Sequence, residues 1–202
     1  VSATVNPLPT MFNGTGSGSY CAGGPGLLVG LSGSQIGVNY TLWYGCCYPL
    51  GITVAGTGGP ISFGYFTIPG YYSVQAESMT THCTNWMYNC ILIAVDPLPT
   101  VFSVTGGGSY CDGGTGVLIG LAGSQTGVNY TLTPGGTVVA GTGLAISFGN
   151  HTAGTYSVTA MNTTTHCTNI MSGSAIVTVN PLPAALAGSD RAICLNESTM
   201  IG

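Results

Sequence analysis

Apolar and polar positions along this chain alternate in short bursts, each bounded by glycine, proline, asparagine or serine. No helical periodicity persists over about a dozen residues, so the pattern predicts strands and turns throughout. In the second half "PTVFSVTG" reads as a first strand and "GVLIGLAG" as a buried second one. "VNYTL-TPGG-TVVAG" reads as a hairpin, "AISFG" as a short strand, "GTYSVTAMN" as the penultimate strand and "SAIVTV" as the last. Alternation turns Tyr72, Val74 and Ala76 of the matching "GYYSVQA" to one face.

The text then repeats. "GSYCAGGPGLLVGLSGSQIGVNYTL" (18–42) matches "GSYCDGGTGVLIGLAGSQTGVNYTL" (108–132), and "TTHCTN" occurs at 80–85 and 164–169. "VNPLPT" (5–10), "VDPLPT" (95–100) and "VNPLPA" (179–184) each follow an apolar run. Two prolines in three residues fix φ twice and remove two donors, so each copy is a stiff joint after a module's last strand. Repeats of this length are tandem domains and not a solenoid. The boundaries predicted are 1–9 (last strand of a preceding module, and linker), 10–99 (module 1), 100–183 (module 2) and 184–202 (opening strands of a third, incomplete module). On this reading the chain is a processed or excised piece of something longer. Seven short strands in each module predict an all-β chain of tandem immunoglobulin-like sandwiches joined by Pro-Leu-Pro linkers. "G-x-Y-S-V-x-A" (70–76, 154–160) puts a tyrosine just inside the penultimate strand, the place of a tyrosine corner.

Charge narrows the partners. The chain has one basic residue, Arg191, and five acids, so 3% of it is charged against about 25% in an average globular domain. Nothing can neutralise nucleic-acid phosphates or anionic lipid. No apolar run approaches the roughly 18 residues of a membrane span. An uncharged β surface lacks the residues that normally block strand addition, so self-association is expected.

Eight cysteines in a lysine-free, glycine-rich β chain point to an oxidising, extracellular compartment. Cys21 and Cys83 recur as Cys111 and Cys167, and repetition favours one cystine inside each module. Cys46 or Cys47 with Cys90 is a further candidate pair. The strand count, however, sets Cys21 and Cys83 at opposite poles. Either the segment between the last two strands folds back, or some cystines join neighbouring modules or chains.

Catalysis finds no footing: His82 and His166 stand beside cysteines already assigned to cystines, and His151 sits in a turn. Neither a four-ligand zinc set nor an Asp-rich calcium loop is written, and no cofactor is expected. The modules differ in aromatic content. Trp43, Tyr44, Tyr48, Tyr65, Phe66 and Tyr71 have no aromatic counterpart in module 2, and lie in two turns expected at one pole. Trp86 and Tyr88 are expected in a turn at the other pole. Such rings form a contact surface for sugar or a neighbour, or cover an ordinary intrachain joint. Asn13, Asn39, Asn129, Asn150, Asn162 and Asn196 each begin an Asn-x-Ser/Thr glycosylation match.

The run "PLPT…YC.GG.G…GLSGSQ.GVNYTL…AGTG..ISFG…G.YSV.A….C" resembles the immunoglobulin-like repeats of very large secreted or surface proteins of Bacteroidota-type bacteria, over residues 1–183. The tail "AGSDRAICLNESTMIG" resembles the opening of another such module, with Asn196 where an "ICxGxS" phrase has glycine. The resemblance implies stalks, adhesins and surface layers, and carries over no catalytic residue. The function expected is a structural subunit of an extracellular or cell-surface fibre, its partner a second copy of itself. In that fibre Val1, Ser2, Ala3, Thr4 and Val5, which align with the end of "SAIVTV", complete a sandwich in another subunit. The alternative is an adhesin binding glycan through the module 1 aromatics.

Overall fold

The computed structural model of the chain describes residues 3, 5–45, 47–184 and 194–195. Among them every regular element is a strand. Two compact units form, one from residues 1–99 with 161–169 and the other from 100–160 with 170–202. Each repeat carries the same nine strands in the same order.

In module 1 these are β1 (Gly14–Thr15), β2 (Gly18–Cys21), β3 (Leu27–Leu31), β4 (Val38–Tyr44), β5 (Tyr48–Ala55), β6 (Ile61–Phe66), β7 (Gly70–Ser78), β8 (Thr84–Trp86) and β9 (Ile91–Asp96). One sheet runs β1-β3-β6 and the other β2-β9-β7-β4-β5, with β8 also on β7. Module 2 repeats this with β10 (Val104–Gly106), β11 (Gly108–Cys111), β12 (Val117–Leu121), β13 (Val128–Thr133), β14 (Val138–Ala140), β15 (Ile146–His151), β16 (Gly154–Asn162), β17 (Thr168–Ile170) and β18 (Ala175–Asn180). Two sheets, antiparallel except for the β2–β9 and β11–β18 pairs, pack face to face over one core per module and make an immunoglobulin-like sandwich.

The alternation read from sequence places the core. Tyr40, Leu42, Tyr72, Val74 and Ala76 point inward from β4 and β7, against Val29 and Leu31 of β3. Tyr130, Leu132, Tyr156, Val158, Ala160, Ile119 and Leu121 do the same in module 2. The tyrosine corner forms in both repeats: Tyr72 O–H donates to the Ile68 carbonyl and Tyr156 O–H to that of Thr152, each at 2.9 Å.

Two strands per module escape a seven-strand reading, and both matter. The first run is split at glycine: β1 pairs with β3 in one sheet, whereas β2 pairs in parallel with β9 in the other. Gly16 makes the switch at φ 102°, and a Cβ there would stand 2.1 Å from the Leu28 carbonyl oxygen. Gly106 is its copy at φ 91°. The last run is also in two pieces. β8 pairs with the end of β7 (Gln75↔Trp86) and β9 with its start (Tyr72↔Ile91). Trp86 is therefore on a strand and not in the turn at the far pole, because the chain reverses earlier, at Met79–Cys83, and re-enters the sheet at once.

The first two Pro-Leu-Pro phrases are each fastened to the module after them. The Thr10 N–H donates to Gln35 Oε1 at 2.5 Å, and Asn85 Nδ2 donates to the Pro9 carbonyl at 2.9 Å. Thr100 with Gln125, and Asn169 with Pro99, repeat both bonds. Gln35 is itself held by its N–H donating to Tyr40 Oη. "GSQ" is thus a lock for the joint.

Candidate functional site

Cys21 closes β2, opposite Asp96 at the end of β9. That is the pole where β7 begins, since Gly70 pairs with Ile93. Cys83 sits at the other pole, where its carbonyl accepts the Ser78 N–H at the end of β7. β7 is nine residues long, so the two poles stand roughly 30 Å apart at about 3.3 Å per residue. No cystine spans that distance. The structure accordingly pairs Cys21 with Cys167, 146 residues away, and corrects the reading of Cys21 with Cys83 and Cys111 with Cys167. The segment between the last strands does not fold back. Cys83 and Cys111 are free thiols, and so are Cys47, Cys90 and Cys194. The Cys47–Cys90 alternative is therefore not formed, and Cys46 lies outside the described residues.

The half-sites of this cystine are built twice. The Ala22 N–H donates to the Asp96 carbonyl and the Gly24 N–H to that of Cys21; Asp112 with Asn180 and Gly114 with Cys111 match them, all four at 2.9 Å. In the "TTHC" turns, His82 and His166 take left-handed φ of 53° and 59°. The Cys83 and Cys167 N–H groups both donate to the threonine Oγ1 two residues back, at 3.4 Å. Cys167 is buried, Cys83 half-buried and Cys111 exposed.

The aromatics of module 1 separate into three sets. Tyr44 and Phe66 turn inward and pack on Tyr72, with ring centroids 5.3 Å apart in each pair. Burial, then the neighbouring phenols Tyr44 and Tyr20, raise the Tyr72 hydroxyl above its ordinary range. Trp43 lies on the outer face of β4 and meets Trp86 edge-on at 5.5 Å, joining two residues that the sequence reading placed at opposite poles. Its indole Nε1 is buried with no hydrogen-bond partner among the described residues. Tyr48, Tyr65, Tyr71 and Tyr88 are exposed. Tyr44, Tyr48 and Phe66, with Leu50, Ile52 and Ile68, line an apolar groove of about 350 Å³, so the two aromatic turns do share a pole. A second hollow of about 340 Å³ lies against Trp86, Tyr88 and Cys90.

Of the glycosylation matches, Asn13 and Asn150 are exposed, Asn39, Asn129 and Asn162 are half-buried on strands, and Asn196 lies outside the described residues. Asn162 Oδ1 accepts the Thr164 and Thr165 N–H groups and shapes the cysteine turn. His82 Nδ1 stands 3.1 Å from Glu77 Oε1 at the surface. His151 packs on Tyr156 with centroids 5.1 Å apart. Among the described residues no three His, Cys, Asp or Glu gather as a metal site, and no helix is long and apolar enough to cross a membrane. Of the proposed assembly strand, Ala3 and Val5 are exposed, and Val1, Ser2 and Thr4 lie outside the described residues. So does most of the predicted third module.

No protein family matches the sequence, and no curated protein does. Among solved structures, the fibronectin(III)-like modules of Clostridium thermocellum CbhA are 12% identical, covering 89% of this chain and 100% of theirs at a TM-score of 0.41. The human OSCAR ligand-binding domain is 14% identical, over 86% of this chain and 100% of its own, at 0.35. Three N-terminal domains of the outer capsid protein Hoc of bacteriophage RB49 are 15% identical, over 76% of this chain and 53% of theirs, at 0.30. The chain is an immunoglobulin-like repeat protein by its own strand order and tyrosine corners.

Proposed function

We propose that this chain is a structural subunit or segment of an extracellular bacterial surface fibre, of the Bacteroidota-type kind its repeat text resembles, assembled by strand addition between copies. One observation carries the reading. β1, β6, β10 and β15 end the smaller sheets and β2, β5, β11 and β14 the larger ones, and none of these eight strands contains Asp, Glu, Lys or Arg. Proteins that stay monomeric guard such edges with charge, and Pro49 on β5 is the main guard here. In each module the position beside the last strand is filled by the chain's own β2 or β11. A donated strand such as Val1–Val5 would then add to an outer edge, or to an incomplete module. A head-to-tail contact of this kind does not close and builds a filament.

Negative-stain microscopy of the purified chain tests this. Ordered filaments are expected, lost on deleting residues 1–6 and on placing a charge at the β6 edge with Tyr65→Lys, while near-UV circular dichroism stays unchanged. A monodisperse monomer across the accessible concentration range refutes the reading. A second reading, an adhesin stacking sugar on Tyr48, Tyr65 and Tyr71, of which Tyr48 lines the apolar groove, is favoured by the exposure of those rings. Glycan-array binding abolished by Tyr48→Ala would establish it.

A further inference from the structure

The cystine within the chain follows a rule that the repeats can extend. It joins the β2 end of one repeat to the cysteine turn of the next repeat, Cys21 to Cys167. Applying the rule forward, Cys111 at the end of β11 calls for the cysteine turn of a repeat that follows module 2. Applying it backward, Cys83 calls for a β2-type cysteine from a repeat that precedes module 1. In a fibre of head-to-tail chains, both needs are met by one bond.

We propose that Cys111 of one chain forms a disulfide with Cys83 of the next, so that the fibre is covalently linked at every subunit joint. The inference rests on the fibre reading, because two chains must meet end to end. Three observations support it independently of fibre formation. Cys83 and Cys111 are both unpaired, and the repeat-equivalent pair is bonded. Both half-sites are already shaped as in the bonded pair: the turn of Cys83 has the backbone bonds of the Cys167 turn, and the β11 end has those of the β2 end. Finally, pole separation forbids Cys83 from reaching Cys21, and the same nine-residue strand length forbids Cys111 from reaching Cys167. Neither free thiol has an alternative inside its own module that the repeat pattern supplies.

The chemistry is thiol–disulfide exchange with a small-molecule disulfide, the oxidant of an extracellular compartment. One cysteine thiolate attacks it, expelling one small thiol and leaving a mixed disulfide. The second cysteine thiolate attacks the protein sulfur of that mixed disulfide, expelling the other small thiol. Two thiols lose two protons and two electrons; one S–S bond forms as one breaks.

A mixing experiment tests the bond. Wild type oxidised with glutathione disulfide should give a ladder on a non-reducing gel that collapses to one band on reduction. C83S alone and C111S alone should give no ladder. Their equimolar mixture should give a covalent dimer that extends no further, since each variant keeps one half of the joint. Peptide mapping of the dimer, with one variant ¹⁵N-labelled, should recover Cys83 and Cys111 in a mixed-label pair. Cys83 bonded to Cys111 of its own chain, either residue bonded to another cysteine, or both free in the oxidised material would overturn the proposal. If filaments still form with both thiols free, only the covalent joint fails; if there are neither filaments nor ladder, the fibre reading fails with it. Should C83S not fold, alkylating wild-type monomer before oxidation blocks the joint without substitution and must abolish the ladder.

Discussion

Removing the Cys21–Cys167 cystine by the double substitution Cys21→Ala, Cys167→Ala offers a direct measure of what this bond contributes. The bond closes a loop of 146 residues. In the chain-entropy model that constrains the unfolded state by about 5 kcal/mol when the whole loop unfolds together. If one module unfolds while the other stays folded, the released segment is roughly half as long, yet the logarithm lowers the figure only to about 4.5 kcal/mol. The expected loss is therefore about 4 to 5 kcal/mol whichever way the modules unfold. Alanine is the suitable replacement because Cys167 is buried in the protein and a serine hydroxyl there would be left without water. Both tryptophans, Trp43 and Trp86, belong to module 1, so fluorescence in a urea titration follows that module alone. With a slope of about 2 kcal/mol/M, the midpoint should fall by roughly 2 M. Reducing the wild type with dithiothreitol should reproduce the shift. A midpoint that moves by less than about 0.5 M in both cases would refute the reasoning, for it would mean that the bond does not constrain the unfolded chain.

Gly16→Ala and Gly106→Ala each set a Cβ about 2 Å from a carbonyl oxygen at positive φ; each should cost roughly 3 kcal/mol or more, read as a lower thermal midpoint, and an unchanged midpoint would show that the strand switch relaxes freely. Tyr72→Phe and Tyr156→Phe remove the corner hydrogen bonds to Ile68 and Thr152, and each should cost about 1 kcal/mol by urea titration. Tyr40 and Tyr72 titrate above their ordinary value of 10.0, chiefly because burial disfavours the phenolate. The folded state therefore holds those protons more tightly than the unfolded one. Their stabilising contribution is full below pH 10 and is lost as pH rises through the raised values; absorbance near 295 nm should show a late tyrosine class that ionises only with unfolding, and normal titration of all eleven tyrosines would contradict it.

Much of the fold is legible in the chain because two signals agree. Period-two alternation marks the inward residues of β4 and β7, and the Gly-x-Tyr phrase marks the corner. The repeat then doubles every inference. β2 and β11 are hidden because "GSYC" has little apolar content and follows glycine-rich text; its place is fixed by ladder bonds to the last strand, which composition does not record. β8 was hidden because Thr84–Trp86 is three residues long and adjoins a turn. The cystine was half legible. Strand direction already set Cys21 and Cys83 at opposite poles, but repetition pulled toward pairing within a module, and repetition speaks only of similar environments, not of partners. The Trp43–Trp86 contact depends on β8 being a strand, so it was lost with it.

The long cystine also has a mechanical meaning. Tension applied upstream of Cys21 and downstream of Cys167 crosses from one sulfur to the other and leaves the 145 residues between them unloaded. Those residues hold about 500 Å of contour length at roughly 3.5 Å each, and none of it can be drawn out while the bond is whole. A chain pulled through residues outside that loop would resist lengthening under flow even after its sandwiches had begun to open, whereas one pulled at Cys83 and Cys111 would load the 27 residues between them whether or not the bond was whole. Reduction would release the stored slack, and a chain pulled through its outer residues would lengthen.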